Sequence, residues 1–425
     1  MSTLEVFDVF TAGGMPSITY NARTNLGLVK RLSQRLGMKG KVLSITGPTK
    51  IGKTVLWKKV IPEDKRVHIL GGSIRKEEDI WESILSKLNG YAKWTEEHSE
   101  EEEKKKADAV NAGVDGTIMG VIKMRAGYTN TSTTGEKQTT KTAISYSVPP
   151  MHIALYLLTN NDLILIIDDF HYIDKEVQAN VIRALKDPIA EGLKLIISSV
   201  PHRDHDALKA EKEMTGRVYQ LKVPAWDVSD LREIAEKGFI ALNLKCAPEI
   251  IDTFITESYQ SPHLMQEFCL ALCLENDITV KQDSLVDLNA PSDYEAFFEE
   301  IVDTSTSKVI YEKLVAGPPS TQRDRMIRQF KNGSEGDIYV AVMHALAELL
   351  HLDSISPDVI KTQLQTILEA RHVPELHLIK NTLNQMSLIA KEYVEDTSEP
   401  PIDYKDELLH MVDPFFSFYL KWCEK

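Results

Sequence analysis

One stretch near the start of the chain constrains the fold most: an apolar run that breaks into a glycine-containing loop and then a helix. The run covers Val42 to Thr46, and the loop fits the pattern G-x-x-x-x-G-K-T. Such a loop presents backbone N–H groups and a helix N-terminus to a polyphosphate. A strand before it and a helix after it favour a phosphate-binding P-loop over a chance match. The predicted binding residues are Gly47, Pro48, Thr49, Lys50, Ile51, Gly52, Lys53 and Thr54.

A second motif supplies two carboxylates. Five apolar residues, Leu163 to Ile167, are followed by Asp168 and Asp169, a pattern typical of a buried parallel strand with acids at its carboxyl edge, although a strand followed by a polar turn has the same pattern. It matches a Walker B motif. We predict that Thr54 and Asp168 hold Mg²⁺ and that Asp169 polarises the attacking water. With Lys53 reaching the outer phosphates, the cofactors expected are ATP and Mg²⁺.

A third buried strand, over 193–200, ends in Ser198 and Ser199. One branch of P-loop ATPases places such a strand between the P-loop strand and the Walker B strand. Either hydroxyl could then contact the γ-phosphate, and we predict Ser199 as the catalytic one.

Four further residues are candidates on weaker grounds. Tyr20 and Arg23 precede the P-loop, where a segment of many P-loop ATPases borders the base and ribose, but packing or surface roles explain them equally well. Arg217 precedes the last predicted sheet strand, the position of an arginine finger, or it is a surface charge; Arg203 is an alternative for the same role. His263 follows a Ser-Pro helix start and is a weaker candidate sensor.

Size and composition set the broad class. A chain of 425 residues is too long for one compact core, so two or three domains are expected. The hydrophobic content of 43% is ordinary for a soluble protein, and no signal peptide or membrane span is apparent, so we expect a cytoplasmic protein with no membrane contact. The four cysteines lack C-x-x-C spacing and are assigned to packing. A net charge of −14 disfavours attraction of the whole protein to nucleic acid.

The predicted fold class is α/β, with a parallel P-loop sheet, a helical lid and a C-terminal winged helix. We expect an NTPase core over 1–225 with a hairpin-like insertion at about 94–148, a lid over 226–275, connecting helices over 276–336 and the winged helix over 337–425. In the last unit, three helices precede two strand-like segments, at 387–394 and 408–412. The insertion carries a basic ribbon over 123–141, which could contact nucleic acid, although its sequence favours a solvated protein-contact hairpin.

These motifs together resemble the STAND-type P-loop ATPases, close to the archaeal-ATPase group of bacteria and archaea. The resemblance rests on the P-loop, on the Ile167-Asp-Asp-Phe-His-Tyr172 form of Walker B, and on a closing Asp413-Pro-Phe-Phe416 motif. Ser261-Pro262-His263 stands where that family has Gly-x-Pro, which is a departure. The resemblance covers roughly residues 16–275 and 337–425.

The resemblance implies a nucleotide-controlled switch, with ATP held between sheet and lid and the winged helix moving relative to them. Such switches often serve bacterial signalling or antiphage defence, as homo-oligomers or with a separate effector protein. Two alternatives stay open: a DNA-associated ATPase similar to origin-recognition or transposition regulators, and a nucleotide-bound scaffold without hydrolysis. The acidic surface of the presumed winged helix, over 373–412, favours protein docking over DNA binding.

Overall fold

The computed structural model describes residues 4–90, 149–200, 216–303, 307–319, 325–394 and 399–423. The insertion predicted at 94–148, its basic ribbon and Arg203 lie outside these ranges. The α-helices are α1 (Val6–Val9), α2 (Leu28–Arg35), α3 (Lys53–Val60), α4 (Glu77–Leu88), α5 (Pro150–Asn160), α6 (Lys175–Glu191), α7 (Val228–Ala241), α8 (Pro248–Glu257), α9 (Pro262–Glu275), α10 (Tyr294–Asp303), α11 (Ser307–Ala316), α12 (Ile338–Ala347), α13 (Pro357–Ile367), α14 (Leu376–Val394) and α15 (Pro414–Cys423). The strands are β1 (Val42–Thr46), β2 (Arg66–Leu70), β3 (Ile164–Asp168), β4 (Lys194–Ser199), β5 (Val218–Lys222), β6 (Leu244–Lys245), β7 (Val286–Asp287), β8 (Arg328–Gln329), β9 (Glu335–Gly336), β10 (Ser354–Ile355), β11 (Ile402–Lys405) and β12 (Leu408–Met411).

The five long strands β1 to β5 form one parallel sheet in the order β2-β3-β4-β1-β5. The strand β4 therefore lies between the P-loop strand and the Walker B strand, as predicted. Thr46 pairs with Ser199 and Leu70 pairs with Asp168, so the carboxyl ends of the strands meet at one edge. The polar residues that follow each strand are brought together there.

Apolar side chains cover both faces of this sheet, which is why its strands are nearly continuous apolar runs. Leu165 and Ile167 face a layer that includes α4, α5 and α6. Ile164 and Ile166 face the opposite layer, where Trp57 of α3 is fully buried. Each fully buried large apolar side chain contributes about 1.5–3 kcal/mol of burial free energy. The predicted α/β fold class is confirmed.

The elements after β5 share a different core. One continuous apolar cluster runs through α7, α8 and α9, through α10 and α11, and into the elements from α12 to α15. Phe298 of α10 links these parts, because its ring lies 5.2 Å from that of Phe268 and 5.5 Å from that of Phe418. Val6 and Val9 of α1 belong to the same cluster. We call residues 226–423, together with 6–10, the helical body.

The carboxyl-terminal part of the helical body contains the helices α12, α13 and α14 and a three-stranded sheet in the order β10-β12-β11. The strand predicted at 387–394 is instead the second half of α14, because Ile379, Leu383, Met386 and Ala390 form a buried stripe at helical spacing. The strand that pairs with β12 is β11. In the described part of the chain, every helix is too short or too polar to cross a bilayer.

Candidate functional site

The predicted P-loop lies at the carboxyl edge of the sheet, between β1 and α3. Its tight course requires glycine at two positions. A Cβ atom on Gly47 would come within 2.4 Å of the backbone oxygen of Val223, and Gly52 has a φ of +92°. The loop leads directly into the N-terminus of α3, whose first N–H groups have no partner within the helix. This arrangement suits an anion.

Lys53 is buried at the first turn of α3. Its Nζ donates hydrogen bonds to the backbone oxygens of Gly47, at 2.8 Å, and Pro48, at 2.9 Å. The ammonium group is therefore held inside the curve of the loop. A phosphate entering the loop would offer this charge a stronger, charged acceptor.

Thr54 and Asp168, predicted as magnesium ligands from motifs 114 positions apart, are in contact. The Thr54 hydroxyl donates to Oδ2 of Asp168 at 2.7 Å. On the other side, the Ser198 hydroxyl donates to Oδ1 of the same carboxylate. Two oxygen groups side by side next to the phosphate loop fit Mg²⁺, which prefers oxygen ligands and usually combines one or two carboxylates with substrate phosphates.

Asp169 follows the end of β3 in a left-handed conformation, with a φ of +52°. Its N–H donates to the Ser198 hydroxyl at 3.1 Å. Burial, and then the charges of Asp168 and Glu399, raise the pKa of Asp169 to about 7, although Lys53 opposes this shift. A carboxylate with such a pKa can take up and release a proton near neutral pH.

Three further side chains at this edge were missed by sequence reasoning. Nε2 of His68, in β2, lies 3.7 Å from Oδ2 of Asp168; burial lowers the pKa of His68, which Asp168 partly offsets. Nε2 of His171 lies 3.3 Å from Oε1 of Glu399. In the sequence, His171 could have been found only from its position, two residues after the second Walker B acid. Nothing in the sequence around Glu399 points to this site.

Glu399 is a buried carboxylate, with a side chain 8% exposed. Burial by itself would raise the pKa of Glu399, but the neighbouring His171, the charge of Lys53 and the nearby Thr49 lower it to about 2. Glu399 is therefore ionised at neutral pH. Asp169, His171 and Glu399 each offer a ligand atom within 4.8 Å of the others.

A cavity of about 260 Å³ adjoins the P-loop on the side of the helical body. Its wall includes the predicted residues Tyr20, Arg23 and His263 as well as Lys53, Thr54 and Asp169. It therefore connects the phosphate loop with the space where we expect a base and ribose. Nζ of Lys59 lies 4.7 Å from the ring centre of Tyr20, and burial raises the pKa of this tyrosine.

Arg23 lines the cavity but is bonded to protein groups. Its Nε donates to Asp230 at 2.6 Å, and its two terminal nitrogens donate to the backbone oxygens of Pro224, at 2.8 Å, and Ala225, at 2.6 Å. The guanidinium also lies 5.0 Å from the ring centre of Trp226. These contacts hold the segment before the P-loop to the helical body, a role that sequence reasoning did not assign.

His263 and the P-loop residue Lys50 meet the closing motif of the chain. Nζ of Lys50 lies 2.7 Å from Asp413 Oδ1 and 4.2 Å from the ring centre of Phe415. The ring of His263 packs against that of Phe415, with centres 4.8 Å apart. Burial and then the charge of Lys50 lower the pKa of His263 to about 4, with Asp413 acting in the opposite direction, so the ring is neutral at pH 7.

Ser199 and Arg217 lie at opposite ends of the sheet. The backbone oxygen of Ser199 accepts a hydrogen bond from Gly47 at 3.4 Å, and its side chain is buried. The backbone oxygen of Arg217 accepts from Val42, at the amino end of β1. A strand of five residues separates that end from the P-loop by about 16 Å, so a finger role for Arg217 requires a second copy of the chain.

No family model and no curated protein matches this chain. Several solved structures do match this chain. A Walker-type ATPase of Pyrococcus abyssi is 15% identical, with a TM-score of 0.52, over 93% of this chain and 95% of that one. The ORC2 protein of Aeropyrum pernix is 12% identical, with a TM-score of 0.45, over 98% and 96%. Cdc6p of Pyrobaculum aerophilum is 12% identical, with a TM-score of 0.42, over 99% and 98%.

At these identities the likeness concerns the fold, and the argument rests on the Pyrococcus abyssi structure. Its match extends over nearly the whole of both chains, sheet and helical body together. This chain therefore shares the fold of that Walker-type ATPase, a parallel α/β sheet with a P-loop after its first strand.

Proposed function

We propose that this protein is an ATP-binding and ATP-hydrolysing switch that couples its nucleotide state to its own assembly or to a partner protein. The observation that carries the proposal is the contact of Thr54 with Asp168, with Lys53 and Asp169 at the same edge of the sheet. These groups are the phosphate-binding, metal-binding and water-polarising elements that phosphoryl transfer needs. ATP and Mg²⁺ are the proposed cofactors.

In the proposed mechanism, the loop amides and Lys53 hold the phosphates, and Thr54 and Asp168 hold Mg²⁺ between them. The metal would neutralise charge on the phosphate oxygens. Ser198 fixes the orientation of Asp168 and of the Asp169 backbone. Asp169 would orient the attacking water and accept its proton.

The switch role is supported by the position of the cavity between the sheet and the helical body. A nucleotide there would contact both parts. Lys50 and Asp413 form one such bridge from the loop to the end of the chain. A change at the phosphates could therefore alter the position of the helical body relative to the sheet. The winged-helix assignment of 337–425 is carried over from the sequence pattern of three helices and two strand-like segments. A setting in signalling or antiphage defence is carried over from the family resemblance.

Protein docking is favoured over DNA binding for the carboxyl-terminal part. Nζ of Lys380 lies 2.6 Å from Glu407, and Nζ of Lys391 lies 2.6 Å from Asp403. These lysines already have carboxylate partners, so few positive charges are left to replace the counterions of a duplex.

Measurement of the mass of the purified protein with ADP, with ATP, and with ATP plus duplex DNA tests this proposal. We expect a larger assembly with ATP than with ADP and no further change with DNA. If Arg217 acts in a neighbouring site, Arg217→Ala should suppress turnover and leave the ATP affinity of the monomer unchanged. A protein that retains neither nucleotide would contradict the proposal.

A further inference from the structure

The helix α9 contributes a buried amide to the wall of the cavity beside the P-loop. This amide belongs to Gln266, which is 6% exposed. Its Oε1 accepts a hydrogen bond from the backbone N–H of Thr11 at 3.0 Å, and the hydroxyl oxygen of Thr19 lies 2.9 Å from the same atom. The segment before the P-loop therefore holds one end of the amide in place.

The contact with Thr11 decides which way the amide points. A backbone N–H can only donate, so the atom of Gln266 that faces it must be the oxygen. The NH₂ group is the other half of the amide, and within the described ranges it has no protein acceptor. A buried donor without an acceptor is costly, so a ligand that supplies one would be stabilised here. Gln266 therefore presents a hydrogen-bond donor to the cavity.

The position of Gln266 along α9 indicates which part of a nucleotide it would meet. The helix begins beside the P-loop, because the ring of His263 and Nζ of Lys50 both lie against Phe415, at 4.8 Å and 4.2 Å from its ring centre. Gln266 is three residues further on, about 4.5 Å along the helix axis. With the phosphates in the loop, the base is the part of a nucleotide that extends this far. The edge of a purine opposite its sugar carries N1 and the group on C6, so this edge would lie nearest to Gln266.

We propose that Gln266 is a specificity-determining residue, which donates a hydrogen bond to N1 of adenine and so selects adenine over guanine nucleotides. This inference rests on the proposed nucleotide site. Adenine N1 has a free lone pair, whereas guanine carries a hydrogen on N1 and an amino group on C2, so its edge would meet Gln266 donor to donor. Leu28 and Ile234 line the same cavity, and apolar walls raise the cost of a donor left without an acceptor.

The contact with Thr11 also prevents the amide from adapting to guanine. A rotation of the amide by half a turn would present its oxygen to the base, but it would place the NH₂ group against the N–H of Thr11. That N–H would then lose its acceptor, and two donors would face each other. The Thr19 hydroxyl can turn its proton away, whereas a backbone N–H cannot. The segment before the P-loop therefore sets the base preference through Gln266.

A calorimetric titration with ADP and with GDP at pH 8, in wild type and in Gln266→Glu, tests the inference. The carboxylate keeps the shape and an acceptor for Thr11, and it replaces the donor by a second acceptor that suits guanine. Hydrogen bonds from Thr11 and Thr19 favour its ionised form. We expect wild type to bind ADP at least about tenfold more tightly than GDP, and the ratio to fall at least about tenfold in Gln266→Glu. Gln365→Glu, the same change at an exposed position of α13, is the matched control and should keep the ratio of wild type.

A pair of adenine analogues keeps the test independent of the folding of the variant. In 1-deaza-ADP a C–H group replaces N1, and in 7-deaza-ADP the same change is made at N7. Wild type should bind 1-deaza-ADP at least about tenfold more weakly than ADP, because the Gln266 donor loses its acceptor, and should bind 7-deaza-ADP nearly as tightly as ADP.

Two results would overturn the inference and leave the proposed nucleotide site standing. One is an unchanged ratio of ADP to GDP affinity in Gln266→Glu, and the other is equal affinity of wild type for ADP and 1-deaza-ADP. If wild type binds neither ADP nor GDP, the proposed function fails together with the inference.

Discussion

The sheet and the helical body supply the candidate site in different ways. The groups of the sheet that the proposed mechanism uses lie at or just past the carboxyl end of a strand: the P-loop follows β1, Asp169 follows β3, and Ser198 lies near the end of β4. The groups from the helical body, such as Glu399 and Asp413, lie far from the sheet in sequence. Asp413 opens the closing motif of the chain, but no chemistry is assigned to that motif, and Glu399 belongs to no motif. The difference is in keeping with the proposal that the sheet carries the chemistry and the helical body carries its control.

The apolar cores of the two parts are separate, and polar contacts dominate where they meet. Across this junction Arg23 pairs with Asp230, Lys50 pairs with Asp413, and Nε2 of His171 lies 3.3 Å from Glu399. Trp226 is the apolar exception, since it packs on both sides and donates a hydrogen bond to Ile51 at 2.9 Å. Polar contacts can be exchanged for water or phosphate at modest net cost, whereas a shared apolar core cannot. The junction is therefore where movement is expected.

Asp169→Asn is the strongest test of the proposal that the sheet carries the chemistry. The substitution removes the charge of the proposed base and keeps the shape of the side chain. Turnover should fall by about 10²- to 10⁴-fold, while ATP affinity changes much less. Phosphate release measures the first and calorimetry the second. Asp168→Asn should instead change the Mg²⁺ dependence, and Asp187→Asn, on the exposed side of α6, is the control. Full turnover in Asp169→Asn would remove the catalytic role of the sheet edge.

Phe418→Ala tests whether the helical body has one shared apolar core. The cavity left among Phe268, Phe298 and Phe418 should cost about 3–5 kcal/mol of the free energy of unfolding. Native-state hydrogen exchange should accelerate in α7 to α15 and remain slow in the sheet, whereas Ile166→Ala should do the reverse. Faster exchange confined to 337–423 would show that this part folds separately. If the core is shared, deletion of 337–425 exposes the apolar faces of α8 to α10 and destabilises the lid as well.

The junction itself is tested by Arg23→Ala. The substitution leaves Asp230 buried without its charged partner, which should cost about 3–5 kcal/mol. The matched control is Arg232→Ala, which breaks the exposed pair of Arg232 with Asp252 and should cost about 0–1 kcal/mol. Thermal or chemical unfolding measures both. Equal effects would mean that Arg23 adds nothing specific to the joint between the two parts.

The phosphate role of the sheet is tested by Lys53→Ala, which should weaken ATP binding by about 2–3 kcal/mol, or about 30- to 150-fold, because charge-assisted hydrogen bonds are lost. Lys58→Ala, on the exposed face of the same helix, should bind as wild type does. Unchanged ATP affinity in Lys53→Ala would refute the P-loop assignment.

The smallest effect concerns acid stability. The pKa of His263 is lowered in the folded protein to about 4, below the ordinary value of 6.5. Between these values the unfolded chain binds more protons than the folded one, so stability falls as the pH falls through this window. His263→Gln should reduce that loss by about 1–2 kcal/mol between pH 6.5 and 4, measured by denaturant unfolding. An identical pH profile in the variant would show that His263 is not shielded by the closing motif.

The sequence by itself determined the sheet and the side chains that meet at its edge. Apolar runs of strand length can be satisfied only by burial on both faces, and residues just past a parallel strand must lie at the carboxyl edge. For this reason the meeting of Lys53, Thr54 and Asp168 at this edge could be predicted. The place of β4 between the P-loop strand and the Walker B strand could be predicted too, and the sheet has it. The helical stripe of α14 was misjudged at 387–394, because a short polar-apolar segment fits either period until its neighbours are known.

Only the tertiary structure decided what faces the P-loop from the other side. Glu399 and Asp413 reach it because the apolar cluster from α7 to α15 fixes the end of the chain against the helices α7 to α9. No local sequence pattern predicts that contact. The same holds for Arg23, whose partners Pro224, Ala225 and Asp230 are about 200 positions away. Local spacing specifies groups carried by one strand and its loop, whereas contacts between two bodies depend on the packing of surfaces assembled from the whole chain.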